Sequence, residues 1–196
     1  MYFFCIIFTL QFNKMRFKTS ISLTLCILFS VSCGYREHKG EAKTGTGTDS
    51  YLPSIATGAK APALEIRDTA LSVIKLSKQR GHFVVLDFWA SFCPDCRAEF
   101  PAVKALYDKY SPKGIKFIGI SFDDKEEDWK ACLKEEQFPF PQGSNLIKWK
   151  ENPINEAYGI RWIPTLMLIS PEGTVICTAL TASDMDAAIE KTVHFR

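Results

Sequence analysis

The chain has 196 residues, of which 46% are hydrophobic and 23% are charged, and these ordinary globular values exclude a collagen, a coiled coil and a wholly disordered chain. Lys and Arg number 24 against 22 Asp and Glu, which gives a net charge of +2. Residues 1–32 hold three of the basic residues and no acid, so the remainder has 21 basic against 22 acidic residues and no surplus charge for binding nucleic acid.

The segment that precedes Cys33 has the layout of an export signal. A short basic stretch, Met15–Lys18, comes before the apolar run Ile21–Val31, and small residues lead to the cysteine. A basic, an apolar and a small-residue region in this order are typical of a secretory signal, and the apolar run is shorter than the about 20 residues that a spanning helix needs. We therefore expect residues 1–32 to be a signal peptide, with Met15 as a candidate true start.

The cysteine after this segment resembles the lipobox cysteine of bacterial lipoproteins. That resemblance implies cleavage before Cys33 and a lipid on its sulfur and amine, and hence a periplasm-facing, membrane-anchored lipoprotein of the cell envelope. A plain secreted protein and an uncleaved anchor are the alternatives. All three interpretations put the rest of the chain outside the cytoplasm, where disulfides persist.

Two regions follow the signal. Residues 33–57 begin with the lipidated cysteine, are rich in Gly, Thr and charge, and lack apolar periodicity, which predicts a flexible tether. Residues 58–196 are long enough to bury a core without disulfides or metals to hold it together. We expect this second region to form one folded domain.

Strand and helix patterns alternate along this domain. Val84–Trp89 is a nearly continuous apolar run, typical of a strand buried on both faces, and the residues after Cys93 repeat with helical spacing until Pro112 and Gly114. The further elements expected are a strand at Ile115–Phe122, a helix opened by an Asp124–Glu127 capping box, an irregular loop at Phe138–Asn152, strands at Leu166–Ile169 and Val175–Ala179, and a last helix capped by Ser183. This order predicts an α/β fold whose central mixed sheet carries helices on both faces.

The most specific feature is Cys93-Pro94-Asp95-Cys96, which lies between the apolar strand and the amphipathic helix. Cysteines at this spacing at a helix start have their sulfurs on adjacent turns, within disulfide reach. The unpaired N–H groups and the positive dipole end of the helix favour a thiolate at Cys93. We expect Cys93 to be the nucleophile and Cys96 to resolve the mixed disulfide. Pro94 suits the first helical turn, and Asp95 opposes thiolate formation somewhat.

The cysteine pair has two alternative interpretations, a structural zinc site and a structural disulfide. A structural zinc site needs four ligands, and the chain has no second cysteine pair and no His at motif spacing. A purely structural disulfide is the other alternative. Cys132 and Cys177 lie within helix and strand patterns and are expected to be inert. No metal or cofactor site is expected.

The segment VLDFWASFCPDCRAEFP, residues 85–101, resembles the active-site segment of the thioredoxin superfamily, above all that of the extracytoplasmic TlpA/ResA-type thiol–disulfide oxidoreductases. Gly58–Leu64 is similar to the opening segment of that branch, Trp162–Thr165 to its cis-proline loop, and Pro171–Gly173 to the hairpin turn after the loop. The resemblance implies a thioredoxin-like fold with a redox disulfide between Cys93 and Cys96.

The resemblance also implies roles for two carboxylates. It places an acid at Asp87 that moves a proton to or from Cys96, and burial in a strand should raise the pKa of such a carboxyl. The alternative for Asp87 is a solvated strand face. Glu99 corresponds to an acid beneath the site, with an ordinary exposed helix Glu as the alternative.

The substrate contacts expected from the resemblance are apolar and surround the pair. A cis bond before Pro164 would turn the backbone of Ile163 toward the sulfurs, where it could pair with an extended substrate segment. Phe92 replaces the usual Trp and changes the apolar surface beside the site. The complete set of expected contacts is Trp89, Phe92, Pro94, Ile163 and Pro164, with packing below the loop as the alternative for Trp89.

These features predict a thiol–disulfide oxidoreductase that reduces disulfides of exported proteins and is itself restored by a membrane electron-donor thiol protein, as the resemblance implies. A peroxiredoxin-like peroxidase shares the fold, but Ala90 stands where that chemistry expects a Thr three residues before the reactive cysteine. A non-catalytic binding module with structural cysteines is the other alternative. Neither a cofactor nor a nucleic-acid partner is expected.

Overall fold

A mixed β-sheet organises the chain, and the computed structural model describes residues 50–195 of it. The strands are β1 (Glu65–Arg67), β2 (Val73–Lys75), β3 (Val84–Trp89), β4 (Lys116–Ser121), β5 (Gln142–Ser144), β6 (Thr165–Ile169) and β7 (Val175–Ala179). The α-helices are α1 (Pro94–Tyr110), α2 (Glu126–Glu136), α3 (Pro153–Tyr158) and α4 (Ala182–Thr192), and short 3-10 helices lie at Leu76–Gln79, Ser111–Lys113 and Trp149–Glu151.

The strand β3 lies inside the sheet and has every residue buried. It runs parallel to β4 and antiparallel to β6, and the full strand order is β2-β1-β5-β4-β3-β6-β7. A strand that is covered on both faces must be almost entirely apolar, because polar side chains would otherwise be buried without partners. This is why the apolar segment β3 takes an inner position. The mixed sheet predicted from the order of elements is confirmed.

Helices cover both faces of the sheet, as predicted. Val85 belongs to a cluster of buried side chains with Val103 of α1 and Met185 of α4. Phe88 points to the opposite face, since side chains alternate along a strand, and its ring lies 5.3 Å from that of Tyr158 in α3. The residues with odd numbers in β3 therefore face α1, which decides where the acidic side chain of this strand points.

Two predicted helix starts are wrong. The helix α2 begins after Lys125, whose side chain makes no capping hydrogen bond, so the Asp124–Glu127 box does not form. Three acids in its first turn stabilise the positive end of the helix dipole instead. The helix α4 is capped two residues earlier than predicted, because the hydroxyl of Thr181 rather than Ser183 accepts the N–H of Asp184 at 3.1 Å.

The stretch Phe138–Asn152, predicted as an irregular loop, contains β5 and a 3-10 helix. The sequence of β5 is Gln-Gly-Ser, which has no alternation of apolar residues to mark it as a strand. It becomes a strand because it pairs with β4 on one side and with β1 on the other. The strands β1 and β2 were not predicted either, because each is only three residues long.

The predicted signal, Cys33 and most of the predicted tether lie outside the described residues, so those boundaries stay predictions. The last residues before Gly58 contact the domain: the N–H of Ser54 donates to the carbonyl oxygen of Gly159 at 2.9 Å, and Ile55 packs against the core. At the other end, the ring of Phe195 stacks on that of Tyr110 at the end of α1. Among residues 50–195, no helix combines the length and apolarity needed to cross a membrane.

Candidate active site

The two cysteines meet at the start of α1. The strand β3 ends at Trp89, a short loop follows, and Cys93 takes the N-cap position, where its sulfur accepts the N–H of Cys96 at 3.2 Å. The two side chains form a disulfide whose Cα atoms are 5.3 Å apart. Pro94 occupies the first turn, where the missing N–H costs no helix hydrogen bond. The pairing expected for Cys93 and Cys96 is therefore present.

The two sulfurs differ in access. Cys93 is 8% exposed and Cys96 is 1% exposed. A helix N-terminus offers unpaired N–H groups and a partial positive charge, which favour the thiolate over the thiol at the capping position. The more accessible sulfur is therefore also the one that the helix prepares for nucleophilic attack.

The loop that leads into β6, the neighbour of β3, contacts Cys93. The Ile163–Pro164 peptide bond is cis, as the resemblance implied. The carbonyl oxygen of Ile163 lies 3.5 Å from the Cys93 sulfur, and the hydroxyl of Thr165 donates to the carbonyl of Trp162 at 2.7 Å. The side chains of Ile163 and Pro164 are buried, so at these two positions only the backbone is available to a partner.

The exposed surface beside the cysteines is aromatic. Phe92 is 59% exposed and Trp162 is 40% exposed, and Pro94 at the start of α1 is exposed as well. Phe92 and Pro94 are among the predicted substrate contacts, whereas Trp162 is not. Its position directly before the Ile163-Pro164 pair was the available signal.

Trp89 is not available to a substrate, which corrects the expectation that it is a contact. Its side chain is fully buried beneath the loop and packs edge to face on Phe100 of α1, with ring centroids 5.2 Å apart. Its indole N–H donates to the side-chain oxygen of Gln142 at 2.9 Å. Gly119 makes room for that amide, because a Cβ there would overlap the Gln142 side chain. The physical reason is the alternation of β3, which directs Trp89 under α1.

Asp87 is a buried acid on the same face of β3. It lies opposite Gly119 of β4 and Leu166 of β6, and its Oδ2 atom has no hydrogen-bond partner. Burial, together with the nearby charge of Glu99, raises the pKa of Asp87 from 3.8 to about 7. The solvated strand face considered for this residue is therefore excluded. A carboxyl with a pKa close to neutrality can both give and take a proton under ordinary conditions.

Glu99 has a hydrogen bond that the sequence did not anticipate. Its half-buried carboxylate accepts the N–H of Ala182, the first residue of α4, at 2.9 Å. The side chain thus ties the active-site helix to the start of α4, where an anion is favourable. A catalytic role for Glu99 stays a prediction.

A second buried acid, Asp123, anchors the active-site loop and was missed. The charged run that begins at Asp123 predicts a solvated helix start, and for Asp123 this is wrong. Its carboxylate is buried and accepts the N–H of Ser91 at 3.1 Å, the hydroxyl of Ser91 at 2.6 Å and that of Ser121 at 2.6 Å. Ser91 lies two residues before Cys93, so these bonds fix the approach to the reactive sulfur. Its place directly after a buried parallel strand was the signal that could have found it.

The free cysteines of the described chain are not prepared for reaction. Cys132 is buried, and burial raises its pKa to about 11 although the Arg97 guanidinium donates to the sulfur at 3.4 Å. Burial also raises the pKa of Cys177. Within residues 50–195 no group of three or more His, Cys, Asp or Glu side chains is arranged to hold a metal ion.

A cysteine pair at a helix N-terminus, facing a cis-proline loop at the edge of a mixed sheet, defines a thioredoxin-fold thiol–disulfide oxidoreductase. Residues 57–177 match the sequence profile of the AhpC/TSA family. The chain is 30% identical over 172 residues to thiol-disulfide oxidoreductase ResA of Bacillus thuringiensis subsp. konkukian, an alignment that covers 84% of this chain and 86% of the relative. The chain belongs to the AhpC/TSA family and, within it, to the ResA-like thiol–disulfide oxidoreductases.

A second relative and a solved structure support the same family. ResA of Bacillus subtilis is 28% identical over 123 residues, which cover 63% of this chain and 66% of the relative. The crystal structure of the thioredoxin domain of a thiol-disulfide oxidoreductase from Bacteroides vulgatus has a TM-score of 0.65 and 32% identity, and the match covers 72% of this chain and all of that domain. The predicted fold class, family and enzyme class are confirmed.

The buried state of Asp87 predicts how the stability of the protein depends on pH. Because the folded chain holds this proton more tightly than the unfolded chain, it binds more protons between about pH 4 and 7, and the free energy of unfolding falls as pH rises through that range. At 1.36 kcal/mol per pKa unit the fall is about 4 kcal/mol. Urea unfolding of the oxidised wild type and the Asp87→Asn variant between pH 4 and 8 should show this difference, whereas parallel curves for the two proteins would contradict it.

Proposed function

We propose that the protein reduces disulfides in exported proteins, with Cys93 as the attacking thiolate and Cys96 as the resolving thiol. The observation that carries the proposal is the unequal access of the two sulfurs at the start of α1. A substrate disulfide can approach Cys93, while Cys96 stands behind it within bonding distance. This is the arrangement that a two-step thiol exchange needs.

In the first step, the Cys93 thiolate attacks one sulfur of a substrate disulfide. A mixed disulfide forms, and the other substrate sulfur leaves as a thiolate that takes up a proton. In the second step, the Cys96 thiol loses its proton and attacks the Cys93 sulfur, so the second substrate thiol is released and the Cys93–Cys96 disulfide remains. Two electrons have passed to the substrate. A membrane thiol protein would then supply two electrons to the Cys93–Cys96 disulfide and restore the dithiol.

The reducing direction is supported by the charges at the helix start. Asp95, an exposed acid in the first turn of α1, opposes the helix dipole at the cysteine pair. A less strongly stabilised thiolate makes a less oxidising couple, because strong oxidants of this fold are those whose reduced form is stabilised. Asp95 therefore favours a reductase over an oxidase.

The deprotonation of Cys96 is the step in which Asp87 would act. The acid lies on the face of β3 that α1 covers, and its pKa of about 7 suits it to accept the Cys96 proton and return it. Glu99 would act through Asp87, since its charge helps to keep the Asp87 proton in place. Glu99 is thus proposed as a positioning residue whose own bond is to α4.

Cysteine variants test the two roles. In an insulin reduction assay, Cys93→Ser should be inactive, and Cys96→Ser should stop at a mixed disulfide that non-reducing electrophoresis detects. Asp87→Asn should turn over about a hundredfold more slowly, a typical loss for one general base. Cys132→Ser, which changes a buried thiol outside the pair, is the matched control and should keep wild-type activity. Normal turnover by both pair variants would refute the proposal.

The midpoint potential of the cysteine pair tests the direction. A reductase should equilibrate with thiol buffers near the thioredoxin value of about −270 mV or below it. The measurement follows the Cys93–Cys96 disulfide by alkylation and mass shift across a series of dithiothreitol ratios. A potential above about −200 mV, the range of disulfide isomerases and oxidases, would overturn the reductase assignment.

The location of the protein is part of the proposal. The basic, apolar and small-residue order before Cys33 supports export and lipidation at that cysteine. In a bacterial host, the full chain should then carry radioactive palmitate and sediment with membranes, and Cys33→Ser should lose the label. Cys26→Ser, which changes a cysteine inside the apolar run, is the control and should keep it. Equal labelling of Cys33→Ser and the wild type would remove lipidation from the proposal.

A further inference from the structure

The residues just before the predicted domain start are seated on the domain, next to the active site. The N–H of Ser54 donates to the carbonyl oxygen of Gly159 at 2.9 Å, and Ile55 packs against the core. Leu52 and Pro53, which lie between Tyr51 and Ser54 in the chain, are half-buried. The segment Tyr51–Ile55 is therefore a fixed part of the surface rather than a free linker.

Gly159 makes this seat possible. It ends α3 in the left-handed conformation, with φ of +61°, and a Cβ at this position would overlap the side chain of Ser54. A glycine here meets both requirements, because it adopts positive φ at no steric cost and leaves space for a second backbone. The end of α3 is thus shaped to receive the incoming chain.

The seated segment brings Tyr51 to the cis-proline loop. Its ring lies edge-on to that of Trp162, with centroids 5.0 Å apart and planes at 63°. Trp162 directly precedes Ile163, whose carbonyl oxygen is 3.5 Å from the Cys93 sulfur. Tyr51 therefore contacts the residue that precedes the one whose carbonyl faces Cys93.

An exposed aromatic surface results, which we call the aromatic rim and define as Tyr51, Phe92 and Trp162. They are 44%, 59% and 40% exposed, and they account for three of the seven large apolar side chains that stand exposed within residues 50–195. Exposed apolar side chains that cluster, rather than scatter singly, mark an interaction site. Phe92 directly precedes Cys93, and Trp162, which Tyr51 contacts, directly precedes Ile163, so the rim residues belong to the two segments that meet at the Cys93 sulfur.

We propose that the aromatic rim binds an apolar side chain next to the substrate cysteine, and that Tyr51, from outside the predicted domain, sets this preference. The proposal rests on the proposed function. When a substrate sulfur contacts Cys93, the Cα atom of the adjoining substrate residue lies 3.8 Å from the Cα atom of the substrate cysteine. Its side chain must then lie against the surface that surrounds Cys93. An aromatic rim favours a bulky apolar side chain there over a polar one.

The test compares two disulfide-linked synthetic peptides that differ only in the residue beside each cysteine, Phe in one and Ser in the other. The wild type should reduce the Phe peptide with the higher kcat/KM. Tyr51→Ala should lower kcat/KM for the Phe peptide about five- to tenfold, as loss of one aromatic contact does. The change should appear as a higher KM, and the loss of kcat/KM should be smaller with the Ser peptide. Tyr51→Phe, which keeps the ring, should restore the preference.

Two further variants sharpen the test. Leu71→Ala removes an exposed apolar side chain that is not part of the rim and should behave as the wild type with both peptides. Gly159→Ala should displace the seated segment and reproduce the Tyr51→Ala loss although Tyr51 is unchanged. A wild-type preference in Tyr51→Ala would overturn the proposal.

A binding measurement separates this proposal from the proposed function. The Phe peptide with both cysteines replaced by Ser cannot react, but it should still shift the assigned indole N–H resonance of Trp162 in the full chain, and shift it less in Tyr51→Ala. If no variant or wild type reduces either peptide while this shift is present, the proposed function fails and the rim stands. If reduction proceeds without the shift or the preference, the rim proposal fails alone.

Discussion

The sulfur of Cys93 caps the active-site helix, and most of the surrounding structure keeps that cap in place. The cap needs a helix that begins immediately after a loop, and a loop that leaves the sheet at a fixed point. The buried strand β3 supplies the fixed point, since none of its residues can shift without uncovering apolar surface. A single N–H from Cys96 then favours the ionised sulfur, and the same helix carries the second sulfur beneath it.

Buried hydrogen bonds beneath the site join its loop and strands to one another. Asp123 holds Ser91 in the loop, and the Trp89 indole holds Gln142 in β5. Such bonds add little net stability one by one but are costly to leave unmade, so they select a single loop geometry. Three buried side-chain atoms within residues 50–195 have no hydrogen-bond partner, and the Oδ2 atom of Asp87 is the one among them that belongs to an ionisable group. An uncompensated buried acid is costly when ionised, and this cost gives Asp87 a titration near neutrality.

Long segments with a strong pattern were predictable, and features that depend on distant partners were not. The strand β3 and the helix α1 follow from apolar runs of strand and helix period, and the cysteine pair from its spacing at their junction. The strand β5 has no such pattern, because its pairing with β4 and β1 makes it a strand. Asp123 lies at the start of a charged run in the sequence, and only the return of the chain past Ser91 turns it into an anchor.

The seat of Tyr51–Ile55 gives the domain two unlike ends. Tyr51 lies beside the cis-proline loop, whereas Phe195 packs on Tyr110 at the far end of α1. The 17 residues of that helix span about 25 Å. A dye or carrier protein attached at residue 50 therefore lies beside the aromatic rim. Attachment through the last residues leaves the Cys93 sulfur facing open solution, so the choice of terminus decides which partners can reach it.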